Sequence, residues 1–390
     1  MSRWLDDSDR LAERRERLME ESLAMNESNQ FTRRELLLTG AKFGGALFAL
    51  PIISACAAPA ASVAPPSAPS SPSGPAPSAT RASPARTIRL AHVAPPGIPP
   101  DLAVQRFAEV VSERSGGSLE VQLHGNSELG PDQQTFQSVQ SGTIEMALTG
   151  DGIAANVVPR YLWVSVPFML ESEEQYLKVL NSPITQQLGE ALLDLVGTRV
   201  LADFYRLPRQ LATRDKAVLT PEDARGVKLR VPDVPLYSDA YRDLGFSTTA
   251  IPFGEVYGAL QQGVVDAAEA GIDFLDGASF DEVCKQLMLT EHAYGDFLMI
   301  INEQFYQGLT DEERAAIHEG AEEATTVNFD ESKKLQNQLI DEWRGAGVTV
   351  HEPETIDKAA FSRIIVEKAI PRYEGRWGAG FYEQIASQAG

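Results

Sequence analysis

The chain has 390 residues, 43% of them hydrophobic and 8% aromatic, enough to bury a sizeable core in one large domain or in two to three ordinary ones. Asp and Glu (55) outnumber Lys and Arg (34), giving a formal charge of -21. That balance excludes a general basic face for nucleic acid, while leaving room for a local basic pocket.

Residues 1–31 are mixed-charge and helix-favouring, and Met1, Met19 or Met25 could each be the true start. Thr32-Arg33-Arg34-Glu35-Leu36-Leu37-Leu38 then reads as a twin-arginine export signal, followed by an apolar run over 43–55. The run is too short to span a bilayer, which takes about 20 apolar residues. Ile53-Ser54-Ala55-Cys56 resembles a lipobox, in which cleavage before Cys56 leaves a diacylated cysteine as the mature N-terminus. A short retained anchor helix is the alternative. Cys284, the only other cysteine, is expected to be a buried, inert thiol. Residues 57–86 are a Pro/Ala/Ser tract that cannot offset its ordering entropy by burial, so they read as an extended spacer between a membrane tether and a folded body over 87–387.

The body opens with a predicted strand over 87–93, a helix over 102–114 stopped by Gly116-Gly117, a second strand over 119–123, a helix over 130–141 and a third strand over 144–148. Helices over 173–180 and 184–195 and a strand over 198–205 follow. Between Arg225 and Phe274 the pattern is strand, helix, strand, helix, strand, all short, the signature of a parallel sheet with crossover helices. Its first strand, 227–231, is bounded by Gly226 and Pro232, and alternation puts Lys228 and Arg230 on one face. Ligands of such sheets sit at the carboxyl ends of the strands, where Arg230, Phe253 and the segment after Asp266 would lie. Extended segments are expected over 280–289 and 297–302. Thr310-Asp311-Glu312-Glu313 is a capping box opening a helix that should run to about Trp343 and end at Gly345, because no proline interrupts it.

No His-Glu-x-x-His, Gly-x-Ser-x-Gly, phosphate-binding glycine loop or zinc-spaced Cys/His cluster is present. The five histidines, His92, His124, His292, His318 and His351, are scattered singly. His92 is the best placed, at the end of the first strand facing the expected cleft. Arginines are the sharper signal, since a guanidinium matches a carboxylate with two parallel hydrogen bonds and stays charged when desolvated. Arg230, between Leu229 and Val231, should be buried, and a buried charge must be paired. Either Asp266 or Glu269 pairs with it internally, or a bound anion does. Asp151 could accept from a ligand hydroxyl or amine, or cap the next helix.

The strings Lys228-Leu229-Arg230-Val231-Pro232 and P-F-G-E-V-Y-G-A-L-Q-Q-G-V-V-D-A-A-E (252–269) resemble the extracytoplasmic solute-receptor subunit of TRAP (tripartite ATP-independent periplasmic) transporters. L-G-P-D at 129–132, S-G-T-I-E at 141–145 and YLWVSVPF at 161–168 extend the resemblance through the first half of the body. The resemblance implies an α/β fold, a two-domain clamshell of the type II periplasmic-binding-protein kind with a long spine helix. Domain I would comprise 87–206 and 295–335, and domain II 207–294 and 336–387. It makes Arg230 a ligand arginine, Arg209 a second one near the interdomain crossing, with Arg206 as its competitor, and Phe253 an apolar wall. At Ala270 the sequence departs from the family, offering neither a hydrogen bond nor a stacking face, while Glu269 and Asp273 remain candidate oxygen ligands. No cofactor or resident metal is implied. The implied protein is a monomeric receptor, lipid-anchored on the periplasmic side, that closes on a small organic anion and hands it to a TRAP membrane permease. A receptor feeding a membrane sensor, or an exported enzyme on the same clamshell, is the alternative.

Overall fold

The structure, a computed structural model, describes residues 85–390; the export signal, Cys56 and nearly all of the spacer lie outside the described residues. Eleven strands run in chain order among those residues: β1 (Arg86–His92), β2 (Leu119–His124), β3 (Met146–Gly150), β4 (Thr198–Tyr205), β5 (Arg209–Thr213), β6 (Lys228–Val231), β7 (Ser247–Ala250), β8 (Ala267–Gly271), β9 (Gln286–Met288), β10 (Asp296–Asn302) and β11 (Thr349–His351). They form two sheets, ordered β2-β1-β3-β10-β4 and β11-β9-β5-β8-β6-β7. In the first, β2, β1 and β3 are parallel while β10 runs antiparallel to β3 and β4. In the second, β8, β6 and β7 are parallel, as the short alternating elements predicted, and β5 is antiparallel to β8 and β9.

Every residue of β3, β8 and β10 is buried, because helices cover both faces of each sheet. The chain passes between the sheets three times, the third time through helix Asp311–Gly345 to β11. Residues 206–208 carry it from β4 to β5, and the stretch between β9 and β10 carries it back. The first two crossings lie side by side: Arg206 N donates to Gly295 O (3.2 Å) and Arg209 N to Ala293 O (2.8 Å). This antiparallel pair of linkers is the hinge of a two-domain α/β clamshell.

The first helix begins at Pro99, three residues before the predicted start, since proline is tolerated in the first turn of a helix. The spine helix runs Asp311–Gly345 and is 35 residues long. Its capping box is closed in both directions, Glu313 N to Thr310 Oγ1 (3.2 Å) and Thr310 N to Glu313 Oε2 (2.9 Å). Near its start Ala316, Ile317, Gly320 and Ala321 seat it on helix Pro99–Arg114 of the first lobe. Farther along, Asn328 donates to Tyr205 O (2.7 Å), and Trp343 Nε1 reaches Asp276 of the second lobe (3.1 Å). One rigid rod thus serves both lobes.

Two expectations differ from the structure. Over 280–289 only Gln286–Met288 is strand, because Ser279 turns left-handed (φ 57°) into the 3-10 turn Phe280–Glu282. The C-terminal residues, expected within domain II, are shared. Arg372 pairs with Asp243 (2.9 Å) and the Tyr373 hydroxyl donates to Leu236 O (2.9 Å) in the second lobe. Trp377 Nε1 donates to Pro159 O (2.9 Å) in the first. Pro371, lacking an N–H, follows a π turn over Ile365–Ala369 that carries the chain between them.

Gly320 permits the close approach of the two first-lobe helices: a Cβ there would lie 2.9 Å from Val111 Cγ2 and 3.0 Å from Phe107 Cδ2. On an open helix Gly→Ala gains about 1 kcal/mol. Here Gly320→Ala is expected to reverse that sign and lower stability by about 1–2 kcal/mol through overpacking, measured by urea unfolding.

Candidate functional site

A cavity of about 580 Å³ lies between the sheets, at the carboxyl ends of β3, β6 and β8. Its lips touch. Asn156 Nδ2 of the first lobe donates to Asp233 O of the second (3.2 Å), and a Cβ on Gly152 would lie 3.2 Å from Val234 Cγ2. The lobes therefore meet over the cavity rather than leaving an open groove.

Three arginines define one side, and they are not equivalent. Arg209, at the start of β5, is buried and bidentate on Glu269 of β8: Nε pairs with Oε2 and Nη2 with Oε1 (2.8 Å), while Nη2 also donates to the Glu269 carbonyl (3.0 Å). Antiparallel pairing sets Leu211 opposite Glu269 and Arg209 opposite Gly271, within reach along one face. His292 Nε2 stands 3.4 Å from the same carboxylate, and its Nδ1 bonds Thr290 Oγ1 (2.6 Å). Burial opposes the Glu269 charge, but Arg209 and His292 outweigh it and hold this carboxyl well below the usual range. Burial pushes the His292 imidazole down, against the opposing pull of Glu269.

Arg230, on β6, is also buried, but its Nε donates only to the backbone carbonyl of Ile251 (2.8 Å). Neither expected internal partner serves it. Asp266 accepts from the backbone N–H of Lys228 (3.1 Å), and Glu269 is occupied by Arg209. Burial, helped by the charge of Arg209, depresses the Arg230 pKa to about 10, with Glu269 opposing at longer range. Its guanidinium carbon lies 5.7 Å from the centroid of Phe253, which lines the cavity against Phe274 (5.3 Å, edge-on). The third arginine, Arg206, lines the floor at the first crossing, over the rings of Phe297 (4.2 Å) and Phe274 (5.0 Å).

The opposite side is acidic. Asp151, at the end of β3, lines the cavity and accepts from Ser165 Oγ. Asp132 accepts from Thr149 Oγ1 (2.6 Å) and Gly150 N (3.0 Å), and burial raises its pKa to about 6. Gln133, Gln134 and Gln137 of the same helix also face the cavity.

Of the candidate residues, Arg230, Arg209, Phe253 and Asp151 line the cavity. Glu269 is turned to Arg209, and Asp273, buried with its pKa raised to about 6, stands behind Arg206. Neither forms part of the wall. His92 is not at the cavity either. Its imidazole packs inward against Gly125 with Nε2 3.5 Å from Asp101, and Val93 takes the wall position, because alternation on β1 turns neighbouring side chains to opposite faces. Ala270 does line the cavity. Sequence reasoning missed Asp132, the three glutamines and Tyr237. The polar run D-Q-Q-T-F-Q after Leu129-Gly130-Pro131 was the signal for the first four.

A two-lobed α/β protein that meets over a small cavity with unsatisfied guanidinia is built to enclose an anionic solute. Residues 90–372 match DctP, the bacterial extracellular solute-binding protein family 7, and the chain belongs to that family. It is 32% identical to the 2,3-diketo-L-gulonate-binding periplasmic protein YiaO of Escherichia coli K12, over 67% of this chain and 79% of that one. Among solved structures it resembles a TRAP periplasmic solute-binding protein of Roseobacter denitrificans with bound L-galactonate (27% identity, TM-score 0.71, 78% of this chain and 98% of that one). It also resembles one of Chromohalobacter salexigens with bound D-glucuronate (26%, TM-score 0.69, 77% and 99%).

The asymmetry between the arginines has a measurable consequence. Arg209→Ala strands the buried Glu269 charge and should cost about 3–5 kcal/mol. Arg230→Ala removes an unpaired buried cation, whose penalty is present at every pH below about 10. It should leave ligand-free stability unchanged or higher. Chemical denaturation of the two variants at pH 7 checks the contrast, and equal losses would contradict it.

Proposed function

We propose that this protein captures a small hydroxylated carboxylic acid by closure of its two lobes and delivers it to a TRAP-type secondary transporter. The observation that carries the reading is Arg230: a desolvated guanidinium on the cavity wall with no carboxylate partner among the described residues. A bound carboxylate supplies that partner in bidentate geometry. Phe253 and Phe274 offer an apolar surface to the carbon chain, and Asp151 and the glutamines of helix Asp132–Gln140 offer partners to hydroxyl groups. The acids that name or occupy the relatives, 2,3-diketo-L-gulonate, L-galactonate and D-glucuronate, are of this chemistry. Arg209 acts by holding β5 against β8 beside the hinge rather than by donating to the solute.

In this reading domain I comprises 87–206 with 295–335, domain II comprises 207–294, and the chain beyond 335 is shared between them. The twin-arginine segment exports the folded receptor, and Cys56 tethers it to the outer face of the cytoplasmic membrane through the 57–86 spacer.

Arg230→Ala is expected to abolish the thermal shift that sugar acids induce in the wild type, a loss of affinity of about 100-fold or more. Differential scanning fluorimetry against a sugar-acid panel makes the measurement, and a retained shift rejects the carboxylate model. Cys56→Ser should move the protein from the membrane fraction to the soluble periplasmic fraction. Unchanged membrane association would remove the lipid anchor from the scheme.

A further inference from the structure

Arg206 occupies the first residue of the 206–208 crossing, directly at the hinge. Its guanidinium lies over a ring from each lobe, Phe297 on β10 and Phe274 on helix Ile272–Gly277, whose centroids are 5.5 Å apart. Contact with two aromatic faces fixes the cation but satisfies none of its five N–H donors. Among the described residues its side chain makes no hydrogen bond; only its backbone N–H is bonded, to Gly295 O.

The surrounding charges narrow what those donors can take. Arg209 raises the local positive potential, while Asp151, Asp273 and Glu269 lower it from beyond contact distance. The charge of Arg206 is therefore offset at a distance while its donors stay unmet. A second carboxylate placed there would face Asp151, with Asp273 behind the wall, and like charges in a confined site repel. A neutral oxygen would satisfy the donors without that cost.

Building on Arg230 as the carboxylate partner, we propose that Arg206 is a specificity-determining residue. It donates to a hydroxyl or carbonyl oxygen on the carbon chain of the bound acid. The site therefore selects oxygenated monocarboxylates over unsubstituted acids and over dicarboxylates. A site built to hydrogen-bond a ligand oxygen rejects the analogue lacking it, because the protein group, here the half-buried Arg206, is then left unpaired in the closed cavity.

Isothermal titration calorimetry of the purified protein with four six-carbon probes tests this: D-glucuronate, L-galactonate, hexanoate and adipate. The wild type should bind at least one of the two sugar acids about 100-fold more tightly than hexanoate or adipate. Arg206→Met should shrink that ratio to about tenfold or less while leaving hexanoate affinity within about threefold, and Arg206→Lys should recover part of the ratio. A methionine variant that keeps the wild-type ratio, or weakens all four probes equally, overturns the proposal. Should the methionine variant fail to fold, the lysine variant decides by the same ratio. Hexanoate or adipate binding the wild type as tightly as the sugar acids overturns the role of Arg206 and leaves the carboxylate reading standing. Binding of none of the four overturns both. Arg230→Ala separates the two ideas, since it should lose every acid rather than the discrimination between them.

Discussion

The buried ion pair between Arg209 and Glu269 governs how the rest of the site is arranged. Taking two charges out of water costs several kcal/mol per ion, and only good geometry with further hydrogen bonds repays it. Here the geometry is bidentate, and the Glu269 carbonyl accepts from the same guanidinium (3.0 Å). His292, which follows β9 on the return crossing, approaches the same carboxylate, and Thr290 bonds the ring from its other nitrogen. Both hinge crossings are thereby fastened to the second sheet at one point. Rotation of the lobes must then be absorbed on the first-lobe side of that point, in 206–208 and in the few residues before β10. Arg206 is the residue that sits there.

Much of this architecture was legible in the sequence where the determinants are local. Thr310 and Glu313 announce the start of the spine helix, and the absence of proline carries it to Gly345; the helix is Asp311–Gly345. Gly226 and Pro232 bracket β6. The strand over 198–205 and the helix over 173–180 were placed to the residue. The site was less legible, because it depends on pairings between distant segments. Arg209 and Glu269 are 60 residues apart, and nothing local decides that Glu269 answers Arg209 rather than Arg230. That choice follows from the antiparallel register of β5 on β8, with Arg209 opposite Gly271. His92 shows the complementary error. It ends the right strand at the right edge of the sheet, but a one-residue alternation turns it from the cavity toward Asp101.

The cavity is polarised. Guanidinia stand on β6 and at the hinge, and the carboxylates of Asp132 and Asp151 stand on the first lobe. A solute with a carboxylate at one end and hydroxyl donors at the other matches both walls, which a simple hydrocarbon acid does not. Ala270 fits the same logic. A side chain there with its own hydrogen-bonding group would compete with Arg230 and Arg206 for solute oxygens, whereas alanine leaves them unopposed.

Leaving Arg230 unpaired also bears on why closure depends on solute. Driving a two-state equilibrium from 1:99 to 99:1 takes about 5.5 kcal/mol of differential affinity. Depression of the Arg230 pKa to about 10 corresponds to a burial penalty of about 3 kcal/mol on the charged form. In an open protein water solvates that guanidinium, so the penalty belongs to the closed form without solute and is relieved when a carboxylate arrives. Arg206, set over one ring from each lobe and short of acceptors, adds a second group whose donors are served in the closed form only when the solute brings an oxygen to them. Both groups therefore bias closure in the same direction, toward the form that holds the solute. A single pair such as Arg209–Glu269, already satisfied internally, contributes to stability in both states and so cannot act as the switch.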